Sequence, residues 1–188
     1  MEPPPQLSWY ETVEGPSPLA QGDFLDNYPF PDIPIGLADL DPELQDAQLE
    51  GPIQVHGLDV VILTQSCDFQ KLSDDDEVVL CPRKPYVDAR QDRPDLSGDG
   101  WDRLRRGEFI SLHLVSECRL PDHPFAYQVI DLKRVLTSPY GLAKRVAARH
   151  PYRVRLVSPY REHLGQAFAR QFMRVGLPSD LPSRNPYR

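Results

Sequence analysis

The chain has 188 residues, 40% of them hydrophobic, with 21 prolines and a net charge of −7. That length suits one domain whose core needs neither disulfides nor metal. Three cysteines do not make a disulfide framework, and no apolar run approaches the ~18 residues of a membrane span, so reduced thiols in a cytoplasm are expected.

The charge is unevenly spread. Residues 1–100 carry 21 acidic and 5 basic side chains, and residues 101–188 carry 7 and 16. Either the two halves neutralise each other, within one fold or a dimer, or the basic half forms a face for phosphate or an acidic partner.

Residues 1–20 read as an extended arm, acidic and proline-rich with no apolar h-region of a secretory signal, and Trp9 and Tyr10 are able to dock it. A strand is predicted in "QGDFLDNYPF" (21–30), with Phe24 inward. In "DLDPELQDAQLEG" (39–51) a short helix is predicted, from Asp41 as cap and Pro42 in the first turn to Gly51 as stop. "LDVVILTQ" and "EVVLCP" form a hairpin around the acidic loop "KLSDDDE", and the unbroken apolar run places that hairpin centrally, with both faces covered. Residues 83–107 are polar and proline-spaced and read as a long connection. "EFISLHLVSE" (108–117) and "FAYQVIDLKRVL" (125–136) alternate and read as two further strands.

The motif "RVLTSPYG" (134–141) returns as "RLVSPYRE" (155–162). Each is an apolar strand end followed by Ser, Pro and Tyr and then a helical pattern, with Ser138 and Ser158 as expected caps. The first helix is predicted to run to His150. The second carries Leu164, Phe168, Phe172 and Val175 on one stripe and ends at Gly176. Residues 178–188 form a proline-containing tail. The fold class is therefore mainly β with C-terminal helices (α+β): a small curled barrel or sandwich over residues 21–177 with a long insertion, followed by two helices.

The stretch "VVILTQSCDF" (60–69) invites chemistry, because an apolar strand ends in a thiol and a carboxylate. Alternation puts Cys67 and Asp68 on opposite faces, and a carboxylate beside a thiol opposes thiolate formation. Activation of Cys67 would need His56, His113 or His123 to arrive by folding. Cys67, Cys81, Cys118 and His123 could supply four zinc ligands, but no C-x-x-C corner exists and hairpin register separates Cys67 from Cys81. No metal, cofactor or catalytic set is expected. The stretch reads best as a bonded corner, with Cys67 a small buried filler and Asp68 accepting backbone N–H groups. A binding role for Gln65, Cys67 and Asp68 at an exposed rim is the next reading. "WDRLRRGEF" (101–109) is the best basic cluster, with Arg103 and Arg106 able to grip phosphates.

The order "QGDF", "VVILTQSCD", "VVLCPRKPY" and "YQVIDLKRVL" resembles the MazF/PemK-type growth-inhibitor toxins of bacteria. The order is also similar to bacterial proteins with a Q-G-D start and an S/T-Q-x-C-D strand end. The toxin resemblance spans residues 21–136 and implies an SH3-like β-barrel and RNA cleavage, with an arginine in the first inter-strand loop. In this chain no Lys or Arg precedes Lys71, and Arg83 and Lys84 stand where the family has a hydroxyl residue after the third strand's proline. With that pair replaced, the expected function is a non-catalytic bacterial accessory module. It would bind a protein partner, or a second copy of itself, through Leu164, Phe168 and Phe172. The alternative is a nucleic-acid binder or toxin-like ribonuclease using Arg83, Lys84, Arg103 and Arg106.

Overall fold

The computed structural model describes residues 8–32, 54–121 and 123–173. The predicted helix of residues 39–51 and the tail 178–188 lie outside them. In chain order the elements are β1 (Tyr10–Glu14), β2 (Phe24–Pro31), β3 (Val55–Ile62), β4 (Glu77–Pro85), α1 (Tyr86–Asp92), α2 (Gly100–Arg105) and β5 (Leu112–Val115). They continue with β6 (Gln128–Asp131), β7 (Leu136–Pro139), α3 (Tyr140–Ala147), β8 (Tyr152–Leu156) and α4 (Tyr160–Phe172).

The central hairpin is β3 against β4, antiparallel, with Val61 opposite Cys81. β4 organises the larger sheet. On one side it pairs with β3, and on the other its first half pairs with β7 and its last residues with β6. The strand order β2-β3-β4-β6-β5, with β7 on β4, is an open path, and its two ends do not pair to close a barrel.

Both faces of β3 are covered, as an unbroken apolar run requires. Val61 and Leu63 join Phe24, Cys81, Val115 and Ile130 in one core, under Leu164 and Ala167 of α4. Val60 and Ile62 face the other way and pack with Leu80, Tyr28 and Phe69 against Ala143 and Val146 of α3. A third, smaller core lies between the insertion and the outer face of β5 and β6, where Ala89, Leu96 and Leu104 meet Leu112 and Val129.

Several expectations are corrected. Residues 83–107 are not a bare connection: β4 runs on to Pro85, and α1 and α2 follow. Each helix is only two turns or less and buries little beyond Ala89 and Leu104, too few positions for a 3.6-residue period to show. "FAYQVIDLKRVL" is two strands, because the Asp131 carboxylate accepts the backbone N–H of Lys133 (3.0 Å) and turns the chain. Ser138 does not cap α3; it belongs to β7, and its hydroxyl bonds the Tyr28 hydroxyl at 2.6 Å. α3 ends at Ala147, short of His150. The two last helices do not simply follow the sheet, since β8 lies between them.

β8 explains the arm. Residues from Tyr10 onward form β1, paired antiparallel with β8, and Trp9 stacks on Tyr160 of α4 with ring centroids 3.8 Å apart. Tyr10 is buried, with its hydroxyl donating to the Ser116 carbonyl; burial, and next the neighbouring Cys118 thiol, push its pKa up. At the end of β1 the Gly15 N–H donates to the Pro151 carbonyl (2.8 Å). A Cβ at Gly15 would stand 1.9 Å from the His150 carbonyl oxygen. Gly15→Ala must therefore push the α3–β8 connection away, and we expect a loss of about 2 kcal/mol in urea unfolding. A variant as stable as the parent would show that this contact yields freely.

Part of the charge asymmetry is met inside the fold. The fully buried carboxylate of Asp23 meets Arg153 and Arg155. Asp26 pairs with Arg83 and Asp74 with Lys144. The Asp23 and Asp74 pairs join the two halves of the chain, whereas Asp26–Arg83 and the other ion pairs among the described residues lie within one half.

Candidate functional site

The stretch 60–69 turns a corner rather than continuing as a strand. β3 stops at Ile62, the Leu63 N–H still reaches the Val79 carbonyl, and the Thr64 hydroxyl accepts the Val79 N–H at 2.7 Å. The chain then coils. Asp68 N–H donates to the Gln65 carbonyl, Lys71 N–H donates to the Asp68 carbonyl, and a single 3₁₀ turn over Phe69–Lys71 buries Phe69 beside Tyr140. Gln21 ties the corner to the start of β2: its N–H donates to the Ser66 hydroxyl and its side-chain amide to the Leu63 carbonyl.

Because the strand has ended five residues earlier, alternation does not govern Cys67 and Asp68. The thiol is exposed, not a buried filler, with Sγ 3.7 Å from the Asp68 carboxylate and 3.8 Å from Gln65 Oε1. No imidazole among the described residues hydrogen-bonds it. Cys81 and Cys118 are buried in the main core, and burial, reinforced by Asp131, pushes the Cys81 thiol up to about 12, so it stays protonated. Among the described residues no three His, Cys, Asp or Glu side chains gather as a metal site would require.

α4 runs along the other side of this corner. Its Gly165 lies against the Gln21 amide, where a Cβ would stand 3.1 Å from Nε2, so a larger residue would press on that side chain. Between corner and helix opens a cleft of about 920 Å³. Leu63, Leu72, Val79 and Phe168 supply its apolar floor, and Gln65, Asp68, Lys71, Glu77 and Glu162 its polar rim. Three carboxylates thus face one lysine. Glu162 is held below the ordinary carboxylate range by its own backbone N–H in the first turn of α4 and then by Arg161, so it is ionised at neutral pH.

The helix stripe divides. Leu164 is fully buried and structural, and Phe168 is half-buried at the cleft wall. Phe172 is 58% exposed, meets Phe168 edge-on at 5.1 Å, and is followed by Met173, which is 78% exposed. The structure therefore brings Gln65, Asp68 and Phe168 into one cleft. Gln21, Lys71, Glu77 and Glu162 join them without having been singled out in the sequence, since no local motif carries them.

The four candidate phosphate-binding cations do not assemble. Arg83 is 5% exposed and pairs with Asp26, and Lys84 pairs with Asp92. Arg103 and Arg106 share Glu108 at 3.3 and 2.7 Å, and Arg103 also lies over the Phe109 ring. No family model matches the chain, and no curated protein or solved structure matches it either. No helix among the described residues is long and apolar enough to cross a membrane.

Proposed function

We propose that the chain is a non-catalytic interaction module whose cleft between the 63–72 corner and α4 receives a segment of a protein partner. The observation that carries this reading is the cleft's make-up: an apolar floor continuing into exposed Phe172 and Met173, rimmed by Asp68, Glu77 and Glu162. Such a surface suits a segment that buries aliphatic side chains and carries Lys or Arg beside them. An SH3-like curl of the sheet would be the scaffold that holds the corner at its rim. The nucleic-acid alternative has less support, because Arg83, Lys84, Arg103 and Arg106 would each have to leave a carboxylate before meeting a phosphate.

A peptide-display selection on the full chain tests this. Selected peptides are expected to combine aliphatic residues with Lys or Arg. Their affinity is expected to fall at least tenfold in the double variant Asp68→Lys, Glu162→Lys, about 1.4 kcal/mol of binding, while the melting temperature falls only modestly, because both residues are exposed and the loss is confined to the first turn of α4. Phe172→Ser should weaken the same peptides with little change in stability. Acidic peptides, an unaffected double variant, or tighter binding to RNA that weakens steeply with salt would overturn the reading.

A further inference from the structure

The cleft between the 63–72 corner and α4 carries uncommitted charge at its rim as well as an apolar floor. Asp68, Lys71 and Glu77 are exposed, and among the described residues none of the three makes an ion pair. Arg161 takes only Oε1 of Glu162. The rim thus offers three carboxylates and one ammonium around Leu63, Leu72, Val79 and Phe168.

Three longer segments of the chain lie outside the described residues: 1–7, 33–53 and 174–188. The first two hold six carboxylates and no Lys or Arg, so an acidic rim opposes them. The third, "RVGLPSDLPSRNPYR", carries Arg174, Arg184 and Arg188 with a single acid, Asp180, and it interleaves them with Val175, Leu177 and Leu181. Its charges are those of the rim with the signs exchanged. It also follows directly on the helix that forms one wall of the cleft, since α4 ends at Phe172 with Met173 as its cap. From Glu162 to Met173 the span is about 17 Å at ~1.5 Å per residue. Residues 177–182 alone cover about 20 Å when extended.

We propose that residues 177–188 turn back along α4 and occupy the cleft of their own chain. Gly176 and Pro178 give the chain its place to reverse. Leu177 and Leu181 lie on the apolar floor, and Arg184 faces the rim carboxylates. The inference rests on the cleft's being a peptide receptor, as proposed above, and makes the tail the built-in competitor of a partner's segment. Tethering favours the chain's own tail over that of a second copy, because a short connection holds it at an effective concentration of roughly 1 mM. A partner then enters by displacing the tail, and its apparent affinity is reduced by the fraction of chains whose cleft is open.

A nitroxide attached to the full chain at Cys67 tests this. That thiol is exposed at the corner while Cys81 and Cys118 are buried, so the label goes to one site. The backbone amide NMR signals of residues 177–184 are expected to lose at least half their intensity. They should recover it in Asp68→Lys, Glu162→Lys and in Leu177→Ser, Leu181→Ser. Peptides selected on the full chain should bind Leu177→Ser, Leu181→Ser at least threefold more tightly than the parent. Tail signals that stay sharp, broadening that both double variants leave unchanged, or broadening that arises only between a nitroxide-bearing copy and a separate isotope-labelled copy would overturn the proposal. Peptides that bind while the tail signals stay sharp would remove this inference and leave the receptor reading. Broadened tail signals with no peptide selected would keep the tail in the cleft and remove the partner instead.

Discussion

Asp23→Ala is expected to destabilise the chain by about 3–5 kcal/mol, a large share of a typical domain's stability. The carboxylate is fully buried. It accepts Arg153 Nε at 2.9 Å, Arg155 Nη2 at 2.9 Å and the Ala20 backbone N–H at 3.0 Å. Arg153 spends its remaining donors on the carbonyls of Glu14, Gly15, Ser17 and Pro18, at 2.6–2.9 Å. One guanidinium thus holds the turn between β1 and β2, and one carboxylate neutralises it. Removing the carboxylate leaves a buried cation with no counter-charge, its desolvation offset by the four carbonyls alone. Arg153→Ala should cost as much, since it abandons Asp23 and four carbonyls together. The comparison is Arg103→Ala, which breaks an exposed pair with Glu108 and should cost less than about 1 kcal/mol. Urea unfolding of the three variants is the measurement. A cost for Asp23→Ala no larger than for Arg103→Ala would mean that this cluster adds little.

Lowering the pH from 7 to 5 should remove about 2 kcal/mol of stability through His113 alone. Burial, and next the nearby His163 and Arg170 of α4, push its pKa from 6.5 down to about 4. Above pH 6.5 the imidazole is neutral both folded and unfolded, so stability is flat. Between 6.5 and 4 the unfolded chain binds a proton that the folded chain refuses, so stability falls as pH falls, by about 3 kcal/mol over the whole interval. The carboxyls held low by hydrogen bonds, such as Asp76 with Ser73 and Glu108 with Arg106, lose their contribution in a lower window, from the ordinary carboxylate range downward. His113→Leu should therefore flatten the profile between pH 7 and 5. A slope that survives in this variant would assign it to another group.

The central hairpin was legible from residues 58–82 alone, because a run such as Val60–Leu63 has no solvated face in any conformation and must be covered on both sides. The strand with Phe24 inward was legible too, and the Ser-Pro-Tyr motifs marked where strand gives way to helix, but neither Ser138 nor Ser158 caps the helix that follows. The corner at 63–72 was legible as a corner, but Cys67 was misplaced inside it, and the Asp68 backbone carbonyl rather than its carboxylate accepts the turn's N–H. Alternation presumes a continuing strand, and where the strand stops depends on the Thr64 bond to Val79.

What the amino-acid order determined by itself was local: which segments are apolar on one face or two, where proline and glycine interrupt them, and that opposite charges reside in opposite halves. Only the tertiary structure decided what those charges meet. Asp23 and Arg153 are 130 residues apart, farther than propensity or spacing can relate, and their pairing sets one basic side chain of the second half against an acid of the first inside the fold. The cleft is of the same kind. It is assembled from side chains on separate strands, loops and helices, and so exists only after the long-range contacts have formed.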